Sequence, residues 1–146
     1  MNLQHWTHKG RKFTDEDIPE GAVGFVYYMF GIDEEDRFWK YIGKKNFYSN
    51  RKKKFGKKKL AAMTDQRKKK YEIITKLDYQ NYCSSNQKIK QLAKDGFEIY
   101  RVISHICYSK IEMTYYEAKF LFEKDVLNDS KYLNDNILGK FYKNKV

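Results

Sequence analysis

The sequence predicts a small α/β sandwich, with a three-stranded, mostly antiparallel sheet flanked by helices, in one domain over residues 1–146. Three observations predict it. Two β-favouring aromatic runs, 24–30 and 37–43, flank an acidic, turn-prone stretch, Gly31-Ile32-Asp33-Glu34-Glu35-Asp36, which is the pattern of a hairpin. The largely apolar run from Phe97 to Cys107 reads as a third, buried strand. Segments 86–95 and 114–128 carry helix caps and apolar residues at helical spacing.

Residues 1–23 are polar, include the only proline, Pro19, and read as an extended lead-in anchored by Trp6 and Phe13. In the first hairpin strand Phe25, Tyr27 and Met29 share one face, and Val26, Tyr28 and Phe30 the other, because strand side chains alternate. The second strand, 37–43, opens on Arg37-Phe38-Trp39, and its β-favouring aromatics continue to Tyr41. Residues 44–59 read as irregular, with Gly56 among lysines. Residues 60–78 are expected to hold a helix bearing Leu60, Met63, Ile74 and Leu77, its apolar stripe interrupted from Arg67 to Lys70. Ser85 or Asn86 caps a helix running to Asp95, with Gly96 as its left-handed stop. Thr114 begins a helix to about Asn128, with Ala118, Leu121, Phe122 and Val126 inward. The order is hairpin, helix, helix, strand, helix.

Composition excludes several classes. The chain is 41% hydrophobic and 17% aromatic, enough to fold around a core. No apolar run approaches the roughly 20 residues that span a bilayer, and the N-terminus has no signal-peptide pattern. Cys83 and Cys107 lie 24 residues apart with no CxxC spacing, which argues against a disulfide framework and against structural zinc. Charge is concentrated. Residues 44–70 hold 13 of the 30 Lys and Arg residues against one acid, Asp65, a net +12, so the rest of the chain nets −1. Like charges in a block repel, and a polyanion relieves that repulsion by releasing its counterions. A disordered basic loop is the bland alternative. The residues expected to contact nucleic acid are Lys44, Lys45, Lys52, Lys53, Lys54, Lys57, Lys58, Lys59, Arg67, Lys68, Lys69 and Lys70.

The hairpin also carries two short words whose tyrosines lie fourteen residues apart, Gly24-Phe25-Val26-Tyr27 and Tyr41-Ile42-Gly43. Together they resemble the paired motif of the GIY-YIG nucleases. Tyr41-Ile42-Gly43-Lys44-Lys45 is similar to the YIGKK variant of the phage-encoded, homing-enzyme-like branch. So are the lead-in Trp6-Thr7-His8-Lys9-Gly10-Arg11-Lys12-Phe13, the box Asp78-Tyr79-Gln80-Asn81-Tyr82-Cys83-Ser84-Ser85, the helix word Tyr115-Tyr116-Glu117-Ala118-Lys119 and the closing Tyr132-Leu133-Asn134. The box departs from that branch at Tyr79 and Cys83, where Trp and Gly are usual. The first word departs in having Phe25-Val26 in place of Ile.

The resemblance implies a metal-dependent DNA endonuclease of phage homing or accessory type, using Mg²⁺ or Mn²⁺, with Tyr27, Tyr41, Arg51, Glu117 and Asn134 at the site. Each has a competitor. Tyr28 rivals Tyr27 but points to the opposite face. A free tyrosine has a pKa near 10, so only about one in a thousand is ionised at pH 7, and a base role needs nearby cations or metal-bound water. Lys44 and Lys45 are placed to supply that field or to bind phosphate. Glu117 suits a metal ligand, yet Thr114-x-x-Glu117 also spells a capping box that would use the same carboxylate. Arg51, eight residues past Gly43, matches the family's arginine on a helix after the second word; Arg101 is its rival. Asn134 orients or closes the site, with Asn136 as neighbour and rival. His105 reads as a packed core histidine, and His5 and His8 lack metal partners.

The expected partner is DNA, with no membrane. A dimer or a protein partner would serve double-strand cutting. The expected location is the cytoplasm, the host's if the chain is phage-encoded. The alternative is a non-catalytic nucleic-acid-binding protein on the same fold. Fewer than fifteen residues follow Asn134, so no appended DNA-binding module is expected.

Overall fold

The computed structural model describes residues 2–63 and 70–145. The chain opens with β1 (Asn2–His8) and the short β2 (Arg11–Lys12), which folds back on it. β3 (Gly24–Ile32) and β4 (Phe38–Asn46) make the expected hairpin, with Tyr27 opposite Gly43 and Met29 opposite Tyr41. β5 (Tyr48–Lys54), the helix α1 (Lys57–Ala62) and β6 (Lys70–Lys76) follow. A helical turn at Tyr79–Asn81 leads to α2 (Gln87–Lys94), β7 (Glu98–Cys107) and α3 (Lys110–Glu123). The small hairpin β8 (Asn136–Ile137) and β9 (Phe141–Tyr142) ends the fold.

The main sheet has five strands in the order β2-β1-β7-β3-β4. The three expected strands, β7, β3 and β4, lie together and pair antiparallel. The expected strand number is corrected by β1, which adds in parallel to β7 with Thr7 opposite Val102. Trp6 and Phe13 do anchor the lead-in and are buried. Trp6 Nε1 donates to the Tyr79 carbonyl at 2.8 Å, so the anchor draws β1 into register beside the sheet. The sheet is covered on both faces. On one, Trp6, Phe25, Tyr27, Met29, Ile99 and Ile103 pack with Ile89 and Leu92 of α2. On the other, Val26, Ile42 and Cys107 pack with Met113 and Leu121 of α3 and with Val126, Leu127 and Tyr132 beyond it.

The basic stretch is corrected too. Residues 48–54 are a strand where an irregular stretch was expected, and residues 70–76 form β6 where a helix was expected. The two pair antiparallel as a separate ribbon, Arg51 opposite Ile73 and Lys53 opposite Tyr71. Successive Ile73, Ile74 and Thr75 are β-branched, and such side chains favour the extended chain. Lysine carries no such signal, which hides β5. Leu77 N donates to the Phe47 carbonyl at 2.9 Å and closes the ribbon's base. An ion pair from Lys76 to Asp15 ties that base to the lead-in. Arg67, Lys68 and Lys69 lie outside the described residues.

Asn86 caps α2 by accepting from Ile89 N at 3.2 Å, as expected, and Gly96 follows in the left-handed region. α3 begins four residues before Thr114. Its cap is Ser109, whose hydroxyl accepts from Glu112 N at 3.1 Å. The sequence offers two Ser/Thr-x-x-Glu words here, and the first one starts the helix. That shifts the inward face. Met113 and Leu121 are buried, Ala118 is half-buried, and Phe122 is 52% exposed against Phe141. Val126 is buried, as expected, in a turn beyond the helix.

β4 is the edge strand of the sheet. Residues 131–134 run beside it and protect it from further pairing. Lys40 N donates to the Lys131 carbonyl and Leu133 N to the Lys40 carbonyl, each at 2.8 Å. Asn134 continues the ladder with its side chain. Its Oδ1 accepts from Ile42 N at 3.0 Å, and its Nδ2 donates to the Ile42 carbonyl at 2.8 Å. Among the described residues no helix is long and apolar enough to cross a membrane.

Candidate active site

The motif glycines are explained by close approach. A Cβ on Gly43 would lie 2.5 Å from the Tyr27 hydroxyl, because the Tyr27 ring crosses the strand there. A Cβ on Gly24 would lie 2.6 Å from both the Lys45 carbonyl and the Met113 sulfur. The first glycine lets a tyrosine cross β4, and the second lets α3 dock on the sheet. Tyr27 is 1% exposed, whereas Tyr28 on the opposite face is 39% exposed. The Tyr27 ring meets Trp6 at 5.4 Å, Tyr82 at 6.0 Å and Tyr41 at 6.4 Å. Burial, with Tyr82 and Tyr41 beside it, raises the Tyr27 pKa well above 10; Ser84 offsets part of the rise. Tyr27 is therefore a neutral phenol at physiological pH, and the cation field that a base role needs does not prevail there.

Tyr41 stands in front of Tyr27 and opens into a groove of about 840 Å³ along the β4 edge. The groove is also lined by Lys44, Ser85, Asn86, Glu117, Asn134 and Asn136. It lies where the two faces of the sheet meet at its edge. Tyr41 packs against the α2-side core, while Glu117 arrives on α3 from the other side. Tyr27 itself does not line it. Burial raises the Tyr41 pKa, Ser85 and Ser84 lower it, and the Glu117 charge raises it.

Glu117 is freed from the capping role. Thr114 lies inside α3, where its hydroxyl donates to the Lys110 carbonyl at 3.2 Å and accepts from Lys44 Nζ at 2.9 Å. Among the described residues Glu117 has no hydrogen bond or ion pair. Burial raises its carboxyl pKa, and nearby Lys44 pulls it down. A half-buried carboxylate with no hydrogen bond among the described residues, facing an open groove, is disposed to accept a cation. Its oxygens are of the donor type that Mg²⁺ and Mn²⁺ take.

A family model described as "Putative endonuclease segE, GIY-YIG domain" matches residues 6–137. The chain belongs to this GIY-YIG endonuclease family. No curated protein and no solved structure matches it. The family span takes in both motif words, the basic ribbon, α3 with Glu117, and Asn134.

In this GIY-YIG chain the arginine is displaced from its expected position. Arg51 stands exposed on β5, not on a helix after the second word, and it does not line the groove. Arg101 does not replace it. Its guanidinium is buried over Trp6 at 4.8 Å and donates to the carbonyls of Gln4 (2.8 Å), Gln80 (2.7 Å) and Tyr82 (3.0 Å). Burial lowers its pKa to about 10, so it stays charged, with its donors spent on the backbone. Among the described residues no arginine lines the groove; its cations are Lys44, Lys88 and Lys143. Lys88 is paired with Glu34, and Lys143 donates to the Tyr132 carbonyl.

Lys45 sits over the Tyr82 ring at 4.6 Å. Lys52, Lys53, Lys54, Lys57, Lys58, Lys59 and Lys70 are exposed along the ribbon and α1. Sequence reasoning did not assign Tyr82, Ser84 or Ser85 to the site. Their signal was the box 78–85, which brings all three to the two motif tyrosines. Ser84 is 2% exposed and holds φ +88, a strained conformation for a residue with a side chain.

Proposed function

We propose that this chain is a DNA endonuclease that hydrolyses phosphodiester bonds with one Mg²⁺ or Mn²⁺ ion held by Glu117. The observation that carries the reading is the half-buried Glu117 carboxylate, with no hydrogen bond among the described residues, beside Tyr41, Lys44 and Asn134 in the edge groove. When bound, the ion supplies positive charge to the scissile phosphate and the leaving 3′ oxygen. Tyr41 positions the phosphate and the attacking water through its hydroxyl. Tyr27, a neutral phenol, supports the Tyr41 ring from behind; the proton of the attacking water would pass to solvent rather than to Tyr27. Lys44 holds β4 to α3 through Thr114 and adds charge at the groove's rim. Asn134 keeps the edge strand straight behind Tyr41. Arg51 and the ribbon lysines grip the DNA backbone; a two-stranded ribbon also has dimensions that fit a major groove. One groove cuts one strand at a time, so double-strand cutting calls for a second copy or a partner.

A second reading, a nucleic-acid-binding protein without cleavage, is favoured by one observation: no arginine lines the groove among the described residues. Incubating the purified chain with supercoiled plasmid and Mg²⁺ separates the two. Nicking by the wild type that is lost in Glu117→Ala supports the endonuclease. Plasmid binding by the wild type with no nicking supports the second reading.

A further inference from the structure

A second cluster of ligating side chains lies on the α3 face of the sheet, away from Tyr41. It exists because β7 is bulged. Tyr27 pairs with Ile103 but Val26 pairs with His105, so Ser104 is an extra residue on β7. Before the bulge, Ile99, Arg101 and Ile103 alternate into the α2-side core. After it the phase is reversed. Ile106 packs on the α2 side, and Cys107 lies in the α3-side core. His105 turns to the same side and stacks on Tyr116 of α3, with ring centroids 3.9 Å apart. Bulges commonly re-aim side chains in this way. Glu112, held in the first turn of α3 by the Ser109 cap, completes the set. Its carboxylate is 3.5 Å from His105 Nε2, and one donor atom from each of His105, Cys107 and Glu112 lies within 4.8 Å of the others.

We propose that His105, Cys107 and Glu112 form a binding site for a zinc-like divalent ion that pins the end of β7 to the first turn of α3. The donor set is an imidazole nitrogen, a sulfur and a carboxylate oxygen; zinc takes all three, whereas Mg²⁺ takes oxygen and leaves the imidazole and the sulfur unused. Bond lengths of roughly 2.0–2.3 Å at tetrahedral zinc place donor atoms about 3.3–3.8 Å apart. The three donors must therefore close by only about 1 Å, a distance that side-chain rotation covers. Three protein ligands leave the fourth position to water. On coordination the Cys107 S–H bond breaks, the sulfur–metal bond forms and the proton passes to solvent; nothing is oxidised or reduced. Burial, with Glu112 nearby, pushes the free thiol up to about 11, so the metal-free protein holds it protonated. The cysteine spacing gave no sign of zinc because the strand bulge, not a local CxxC word, assembles the site. Its consequence is mechanical. α3 also carries Glu117, so a metal at its first turn would fix the helix that positions the groove's carboxylate.

The test uses the full chain under reducing conditions, titrated with Co²⁺ alone and followed by absorbance. The wild type should develop a thiolate-to-cobalt charge-transfer band and tetrahedral d–d bands that saturate at one equivalent and are bleached by Zn²⁺. Cys83→Ser should keep the band, and Cys107→Ser should lose it. His105→Gln and Glu112→Gln retain the thiol, so they guard against a Cys107 variant that fails to fold; both should bind cobalt more weakly, and Zn²⁺ should raise the melting temperature of the wild type more than theirs. A wild type with no thiolate band at millimolar cobalt would overturn the site. So would a band that survives Cys107→Ser, or one that keeps wild-type affinity in both glutamine variants. None of these readouts depends on DNA cleavage.

Discussion

Gly43→Ala is expected to destabilise the fold by about 1–3 kcal/mol, the range for overpacking a filled core. The added Cβ would lie 2.5 Å from the Tyr27 hydroxyl, 2.6 Å from Cζ and 3.0 Å from Cε2. Ordinary contact begins at 3.4 Å, so the shortfalls are roughly 0.4–0.9 Å. The obstacle cannot step aside, because Trp6, Phe25, Tyr41 and Tyr82 surround the Tyr27 ring at centroid distances of 5.4–6.4 Å. In a chain of this size such a cost lowers the melting temperature by roughly 3–10 °C. Urea titration followed by far-ultraviolet circular dichroism measures it, with the m-value expected to stay constant. Tyr27→Phe removes the nearest of the three contacts. In that background the alanine should cost about 0.5 kcal/mol less, a coupling that residues in contact commonly show. A Gly43→Ala variant within about 0.5 kcal/mol of wild type, the scatter of neutral surface changes, would refute the close approach of Tyr27 to β4. So would an identical cost in both backgrounds.

Asn134→Ala should cost about 2–4 kcal/mol in the same titration, because it strips both backbone groups of Ile42 of their partners in a buried place. Ser84→Gly should be more stable than Ser84→Ala by about 1 kcal/mol, since only glycine accepts φ +88 without strain; both should cut plasmid more slowly than wild type through loss of the hydroxyl beside Tyr27 and Tyr41. Replacing Lys52, Lys53, Lys54, Lys57, Lys58 and Lys59 with Gln should leave the melting temperature almost unchanged. It should make the slope of log K against log salt shallower by roughly 3, the value if half of the six touch phosphate. Binding to unrelated duplexes should weaken alike; a slope that overlays the wild type would mark the ribbon as idle.

The elements legible in the sequence were those whose signals are local. The β3–β4 hairpin declared itself by alternation around an acidic turn, α2 by its Asn86 cap and Gly96 stop, and β7 by its apolar run. What stayed hidden depended on distant partners. β1 reads as polar linker because its strand pairing comes from β7, nearly a hundred residues away, and only Trp6 marks it. β5 is built from lysines, and its register is set by Ile73 and Tyr71 across the ribbon. The bulge at Ser104 leaves no compositional trace, yet it decides which way His105 and Cys107 face. At the site, Tyr41, Glu117 and Asn134 do meet around one groove. Tyr27 stands behind it, and the arginine predicted from position alone lies on the ribbon. A motif fixes which residues occur near one another in the chain; whether each reaches the groove depends on burial and on the edge position of β4, which a motif does not encode.

The most direct measurement is single-turnover cleavage of a duplex by Glu117→Gln, with duplex affinity measured in parallel. The substitution keeps the side chain's shape and removes the charge that would hold the divalent ion. Cleavage is expected to fall by about 10²-fold or more, the scale for losing an electrostatic group that acts on the transition state, while affinity stays within about threefold because the exposed ribbon is untouched. Cleavage at the wild-type rate in Glu117→Gln would contradict the assignment of the β4-edge groove as the catalytic site.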